Sequence, residues 1–202
     1  ETIDGVPGTS AAIPIFFSNL AGSNCGSLLP TGNVTDVFDG LECTLIDNGM
    51  PCVIIKGSDF GITGQETRHQ LELNSEVKSA IESIRLKAGS LMELGDVTKK
   101  SVPKMTLVSE PLNGGLLNTR SFIPHRVHAS IGVFAAITVA TACEIPNTVA
   151  ASLASLPDGN TYKIEHPSGF TKVRLELDDN GVIARTGIIR TARKLMDGAV
   201  YL

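Results

Sequence analysis

Apolar residues along the first half of the chain come in short runs separated by polar, turn-forming clusters, the pattern of β-strands. "AAIPIFFSNL" is followed by "AGSNCGSLLPTGN", a loop rich in Gly, Ser and Asn. "LECTLIDNGMPCVIIKG" predicts two strands about a "DNG" turn. Pro51 opens the second of them, where its missing N–H matters least. The period then changes. In "NSEVKSAIESIRLKAGSLM", Val77, Ala80, Ile81, Ile84 and Ala88 recur at helical spacing. Asn74 or Ser75 is the expected cap, Glu76 suits the first turn, and Gly89 is the expected stop. "SVPKMTLVSEP" and "LLNTRSFI" return to strand on either side of an "NGG" turn at 113–115.

In "FIPHRVHASIGVFAAITVATAC", residues 122–143, two histidines and an arginine meet a run almost without polar residues. Its alanine content, and the absence of Gly between Val133 and Cys143, favour helix. Val133, Phe134, Ala136, Ile137, Val139 and Ala140 cover most of the circumference, so this helix is expected to be buried on all sides. "TYKIEHPSGFTKVRLELDD", "GVIARTGIIRTARKLM" and "AVYL" read as strand again, with "DDNG" as a hairpin turn. The expected fold class is α+β: a mixed β-sheet wrapped around a central buried helix, with one further helix on the surface.

Composition narrows this picture. Aromatics are 4% and tryptophan is absent, so the core must be aliphatic. A net charge of −4 with no basic, aromatic-interleaved run argues against nucleic acid. No signal peptide is visible, and no apolar run reaches the ~20 residues that cross a bilayer. The four cysteines, Cys25, Cys43, Cys52 and Cys143, form no CxxC pair. They read as free thiols of a reducing, cytoplasmic compartment, with no metal site. The chain opens at Glu1 without methionine and reads as the middle of something longer or processed.

The candidate chemistry is an anion site. A helix N-terminus offers unpaired N–H groups and partial positive charge. His125, Arg126 and His128 precede such an end directly. Ser130 and Gly132 would let a carboxylate approach the backbone, and Arg126 would clamp it in a fork. The plain alternative is that Ser130 caps the helix and the histidines bond to its rim. "HPSG", His166 to Gly169, presents a hydroxyl and an N–H in a turn, or is an ordinary turn. "LLPTGN", with Thr31 and Gly32, is a third small-residue loop without the Lys-Ser/Thr ending of a P-loop. Lys104 is either a charge partner for a ligand or an outward-facing strand lysine. Arg185, Arg190 and Arg193 read as a solvated stripe.

Several stretches together resemble a known family: "IDGVPGT", "LLPTGNVTD", "LIDNGMP", "IESIRLKAGSLMELGDVTKKSVPKMTLVSEP", "SFIPHRVHASIGVFAAITVATAC", "IEHPSG" and "IIRTARKLMDG". They are similar to the C-terminal half of the 2-methylaconitate cis-trans isomerase family, which has the diaminopimelate-epimerase-like fold. "DNGMP", "GDVTKKSVPKM" and "FIPHRVHASIG" are most similar to its 4-oxalomesaconate tautomerases. The resemblance implies a two-lobed isomerase without metal or cofactor, its site in the cleft between lobes. It implies keto–enol tautomerisation of 4-oxalomesaconate, a small unsaturated tricarboxylate-like substrate of aromatic compound degradation. The 2-methylaconitate or aconitate isomerases, and a non-catalytic carboxylate-binding remnant, stand as alternatives.

Residue by residue, Ser168 matches a substrate-contacting serine, and His128, Ala129, Ser130 and Gly132 match the carboxylate-binding loop. Thr31 and Gly32 lie in the matching "PTGN" loop. The family's proposed acid and base, a cysteine and a lysine of its first half, have no counterpart segment here, and Ala129 stands where the epimerases carry a second catalytic cysteine. This half is therefore expected to be inactive without an N-terminal lobe. Residues 1–186 are expected to form the lobe and 187–202 to pair with the missing one. A homo-oligomer stays open.

Overall fold

The computed structural model describes residues 1–200. One mixed sheet runs through the molecule. Its strands are β1 (Ile13–Phe17), β2 (Asp36–Phe38), β3 (Leu41–Asp47), β4 (Pro51–Lys56), β5 (Lys104–Ser109), β6 (Leu117–Ile123), β7 (Arg126–Val127), β8 (Thr161–His166), β9 (Gly169–Leu177) and β10 (Ile183–Arg190). Their order is β1-β10-β9-β8-β6-β5-β4-β3-β2, with β7 paired to β6 alone. Neighbours are antiparallel except β4 with β5 and β6 with β8. Parallel neighbours need a crossover connection, and a helix supplies each one. The first carries α1 (Arg68–Leu73) and α2 (Ser75–Leu91); the second carries α3 (Val133–Glu144).

The crossovers lie on opposite faces, which is why the central strands are apolar on both. Along β4, Cys52 and Ile54 pack with the core around α3, whereas Val53 and Ile55 pack with α2. Around α3, Ala136, Ile137, Val139, Ala140 and Ala142 have no exposed surface, as the nearly continuous apolar run predicts. Ile164, Val173, Leu175 and Ile188 close this core from β8, β9 and β10. The sheet therefore wraps the helix, and the α+β expectation holds.

Local chemistry sets the boundaries of α2. The Asn74 side chain accepts from Val77 N at 3.1 Å, and the helix runs to Leu91. Gly89 does not stop it. A Cβ there would meet Val97 Cγ2 at 2.5 Å, so glycine is required by close packing inside the helix. Arg85, without exposed side-chain surface, ties α2 to the loop before β5. It donates to Glu82 at 2.7 Å and 2.8 Å and to the carbonyls of Val97 at 3.0 Å and Val102 at 2.9 Å.

The expected boundary at 186/187 falls inside β10, whose Gly187 and Ile188 pair with Arg174 and Val173 of the same sheet. Residues 191–200 carry no strand or helix, so the strand reading of "GVIARTGIIRTARKLM" holds only to Arg190. Of "AVYL", Tyr201 and Leu202 lie outside the described residues.

Candidate active site

The N-terminus of α3 carries no side-chain cap. Its cap residue is Gly132, with φ −67° and ψ 148°, and not Ser130. Ala136 N–H bonds to Gly132 O at 2.8 Å, while the N–H groups of Val133, Phe134 and Ala135 have no acceptor among the described residues. A helix start left in this way is an anion-binding end.

The two sequence clusters meet here. The Ser168 hydroxyl donates to Ala129 O at 2.9 Å, and Ser130 Oγ lies 3.1 Å from His166 Nε2. Ser130 N–H donates to His128 Nδ1 at 2.9 Å, and Ser168 N–H donates to His166 Nδ1 at 3.3 Å. His128 is anchored in turn by its own N–H to Ser121 O at 2.8 Å. A neutral imidazole that accepts at Nδ1 carries its proton on Nε2. His128 therefore offers Nε2–H, with no acceptor for it among the described residues. Burial pushes both imidazoles below their ordinary pKa, with the Lys104 and Arg68 charges adding to the effect at His128. Both are neutral donors near pH 7.

The "HRVH" cluster does not act as a unit: of its four residues only His128 bonds to the loop that enters α3. Val127 enters the α2 core. His125 turns toward α2, its Nδ1 3.9 Å from Glu82. Arg126 is exposed; the Glu72 carboxyl of α1 is held below its ordinary pKa, against burial, by Arg68 first and by the Arg126 charge among the lesser causes. Lys104 pairs with Cys52, a member of the α3 core, and so shares that side. Burial lowers its pKa, an effect to which Arg85 adds, and its Nζ donates to Ser101 O at 2.6 Å. Lys104 thus lies on the side of the uncharged donors, and its charge is felt at His128.

Thr31 and Gly32 are not drawn into this arrangement. The Thr31 hydroxyl donates to Asp36 Oδ2 at 2.7 Å, and no hydrogen bond joins its loop to His128–Gly132 or Ser168 among the described residues. Arg185 stacks over Phe16, 3.8 Å from the ring centre, and makes no contact with the site.

Two residues behind the site escaped the sequence reading. Asp4 Oδ2 accepts Phe170 N–H at 2.7 Å and closes the "HPSG" turn from the N-terminal segment. Gly169 permits this with φ 129°, and a Cβ there would meet Asp4 Oδ2 at 2.2 Å. Glu165, 3% exposed, collects the N–H groups of Leu112, Asn113 and Gly115 at 2.7–2.8 Å. A polar cavity of about 420 Å³ borders His166 and Pro167. A larger one of about 660 Å³ lies by Thr141 and Glu144, at the other end of α3.

The chain is 58% identical over 202 residues to the (4E)-oxalomesaconate Delta-isomerase of Novosphingobium sp. (strain KA1), covering 99% of this chain and 57% of that protein. It is 54% identical to the 4-oxalomesaconate tautomerase of Pseudomonas putida, covering 99% of this chain and 56% of that protein. The chain thus spans little more than half the length of these relatives. The crystal structure of methylitaconate-delta-isomerase superposes with a TM-score of 0.88 at 29% identity, covering 98% of this chain and 57% of that one. The epimerase-like lobe expected from the sequence is the fold of this chain. Residues 1–202 match the PrpF protein family throughout, and the chain belongs to that family.

Proposed function

We propose that this chain is the carboxylate-binding lobe of an isomerase that tautomerises 4-oxalomesaconate by proton transfer. The donor array at the head of α3 carries the reading: His128 Nε2–H, Ser130 and the free N–H groups of Val133, Phe134 and Ala135. Removing a proton beside a carboxylate builds negative charge on oxygen. Preorganised donors that tighten on that charge lower the barrier. Lys104, on the α3 side of the sheet, would offset a remaining carboxylate.

The proton itself needs a base and an acid. Both histidines already spend their Nδ1 lone pairs on backbone N–H groups. The cysteines are buried, and burial pushes the Cys25 and Cys43 thiols up to about 12, which leaves little thiolate at neutral pH. These features support proton-transfer groups on a lobe outside this chain. The test is deuterium incorporation into 4-oxalomesaconate, followed by NMR, with the chain alone and with an N-terminal lobe supplied from a relative. Exchange is expected only with both; exchange by the chain alone would overturn the division of labour. Lower-identity matches named 3-methylitaconate isomerase (30%) and 2-methyl-aconitate isomerase (26%) support a second reading on those substrates, which relative rates would decide.

A further inference from the structure

We infer that His166 is a positioning residue of this site, fixing Ser130 so that its hydroxyl proton is offered outward to a ligand carboxylate. The inference rests on the carboxylate-site reading above and goes one residue deeper.

One hydrogen bond, from Ser168 N–H, assigns the tautomer. His166 is 9% exposed, on the last residue of β8, and packs under the loop that enters α3. Its Nδ1 faces the backbone N–H of Ser168 at 3.3 Å, and a backbone N–H can only donate. Ser168 Oγ also lies 3.3 Å from that nitrogen, and with its proton on Ala129 O at 2.9 Å it could only accept there, so the backbone N–H is the contact that decides. Nδ1 is therefore bare and the ring proton sits on Nε2. Nε2–H then donates to Ser130 Oγ, 3.1 Å away. With that lone pair filled, the Ser130 proton must point elsewhere, and no acceptor among the described residues receives it. The hydroxyl stays a donor at the head of α3, beside the unpaired helix N–H groups. Without the imidazole, Ser130 would be free to rotate and to turn a lone pair toward the ligand, where a carboxylate repels it.

The decisive experiment has a spectroscopic and a binding arm. Long-range ¹H–¹⁵N correlation on the histidine-labelled chain should show His166 protonated at Nε2 and bare at Nδ1. A ring protonated at Nδ1 overturns the role. Tricarballylate is then titrated and followed through the amides of Ser130, Val133 and Phe134. Ser130→Ala should weaken binding about tenfold, the worth of a hydrogen bond to a charged group. His166→Gln keeps an amide donor for Ser130 and should bind like the unmodified chain. His166→Asn keeps only an acceptor for Ser168 N–H and should lose as much as Ser130→Ala, with no further loss in the double variant. Full affinity in His166→Asn, or additive losses, overturns the role. Should His166→Asn fail to fold, the tautomer and the His166→Gln variant still decide. No binding of tricarballylate by the unmodified chain would sink the site reading itself, a result distinct from loss of the positioning role alone.

Discussion

His128 and His166 each give an Nδ1 lone pair to a backbone N–H, from Ser130 and Ser168. Protonation would turn both acceptors into donors and break both bonds. Burial holds the folded-state pKa of each below the ordinary 6.5. The unfolded chain therefore binds these protons more readily, so stability is complete above 6.5 and falls as pH drops from there through the folded values. Urea midpoints at about pH 8 and about pH 5 should show that loss, and it should shrink when His166 is replaced by Gln. The thiols give a second check. With Cys25 and Cys43 buried and raised to about 12, iodoacetamide should leave the native chain unlabelled at neutral pH and label it after unfolding. Ser130, His128 and Ser168 were legible in their motifs. The role of His166 was not, although it stands in the same "HPSG" turn, because its partner Ser130 arrives from a loop 36 residues away.

Helix α2 shows how packing overrides propensity. Alanine is the better helix former by about 1 kcal/mol, yet Gly89→Ala would drive a methyl into Val97, 2.5 Å away. The variant should lose about 1–3 kcal/mol in chemical denaturation, and Val97→Ala should restore much of it. A stabilised Gly89→Ala would contradict the packing account. Glu165→Gln, which removes the carboxylate from three backbone N–H groups, should cost about 1–3 kcal/mol and speed hydrogen exchange at Asn113 and Gly115. The long elements were readable because their periods are strong: α2 from its amphipathic spacing, α3 from an apolar run, β3 and β4 from the "DNG" between them. Helix α1 was not, since six residues hold too few apolar positions to show a period. Its one signal is the capping box of Thr67 with Gln70, where the Thr67 hydroxyl accepts Gln70 N–H at 3.2 Å. The end of α2 was misplaced because Val97, in the loop that follows the helix, folds back onto Gly89 and demands a glycine there.

The molecule as a whole points its chemistry at one end. Strand β5, the head of α3 and the "HPSG" turn bring Lys104 and the donors together on the α3 side of the sheet. The same architecture leaves the proton-transfer step unassigned, since the histidines are engaged and the thiols are buried. The chain covers 57% of the Novosphingobium relative's length, and under the proposed function the missing chemistry belongs to the rest. Deuterium exchange into 4-oxalomesaconate, measured with and without an N-terminal lobe, tests that most directly. The account predicts exchange only when both lobes are present, and its loss on Ser130→Ala; exchange catalysed by these 202 residues alone would contradict it.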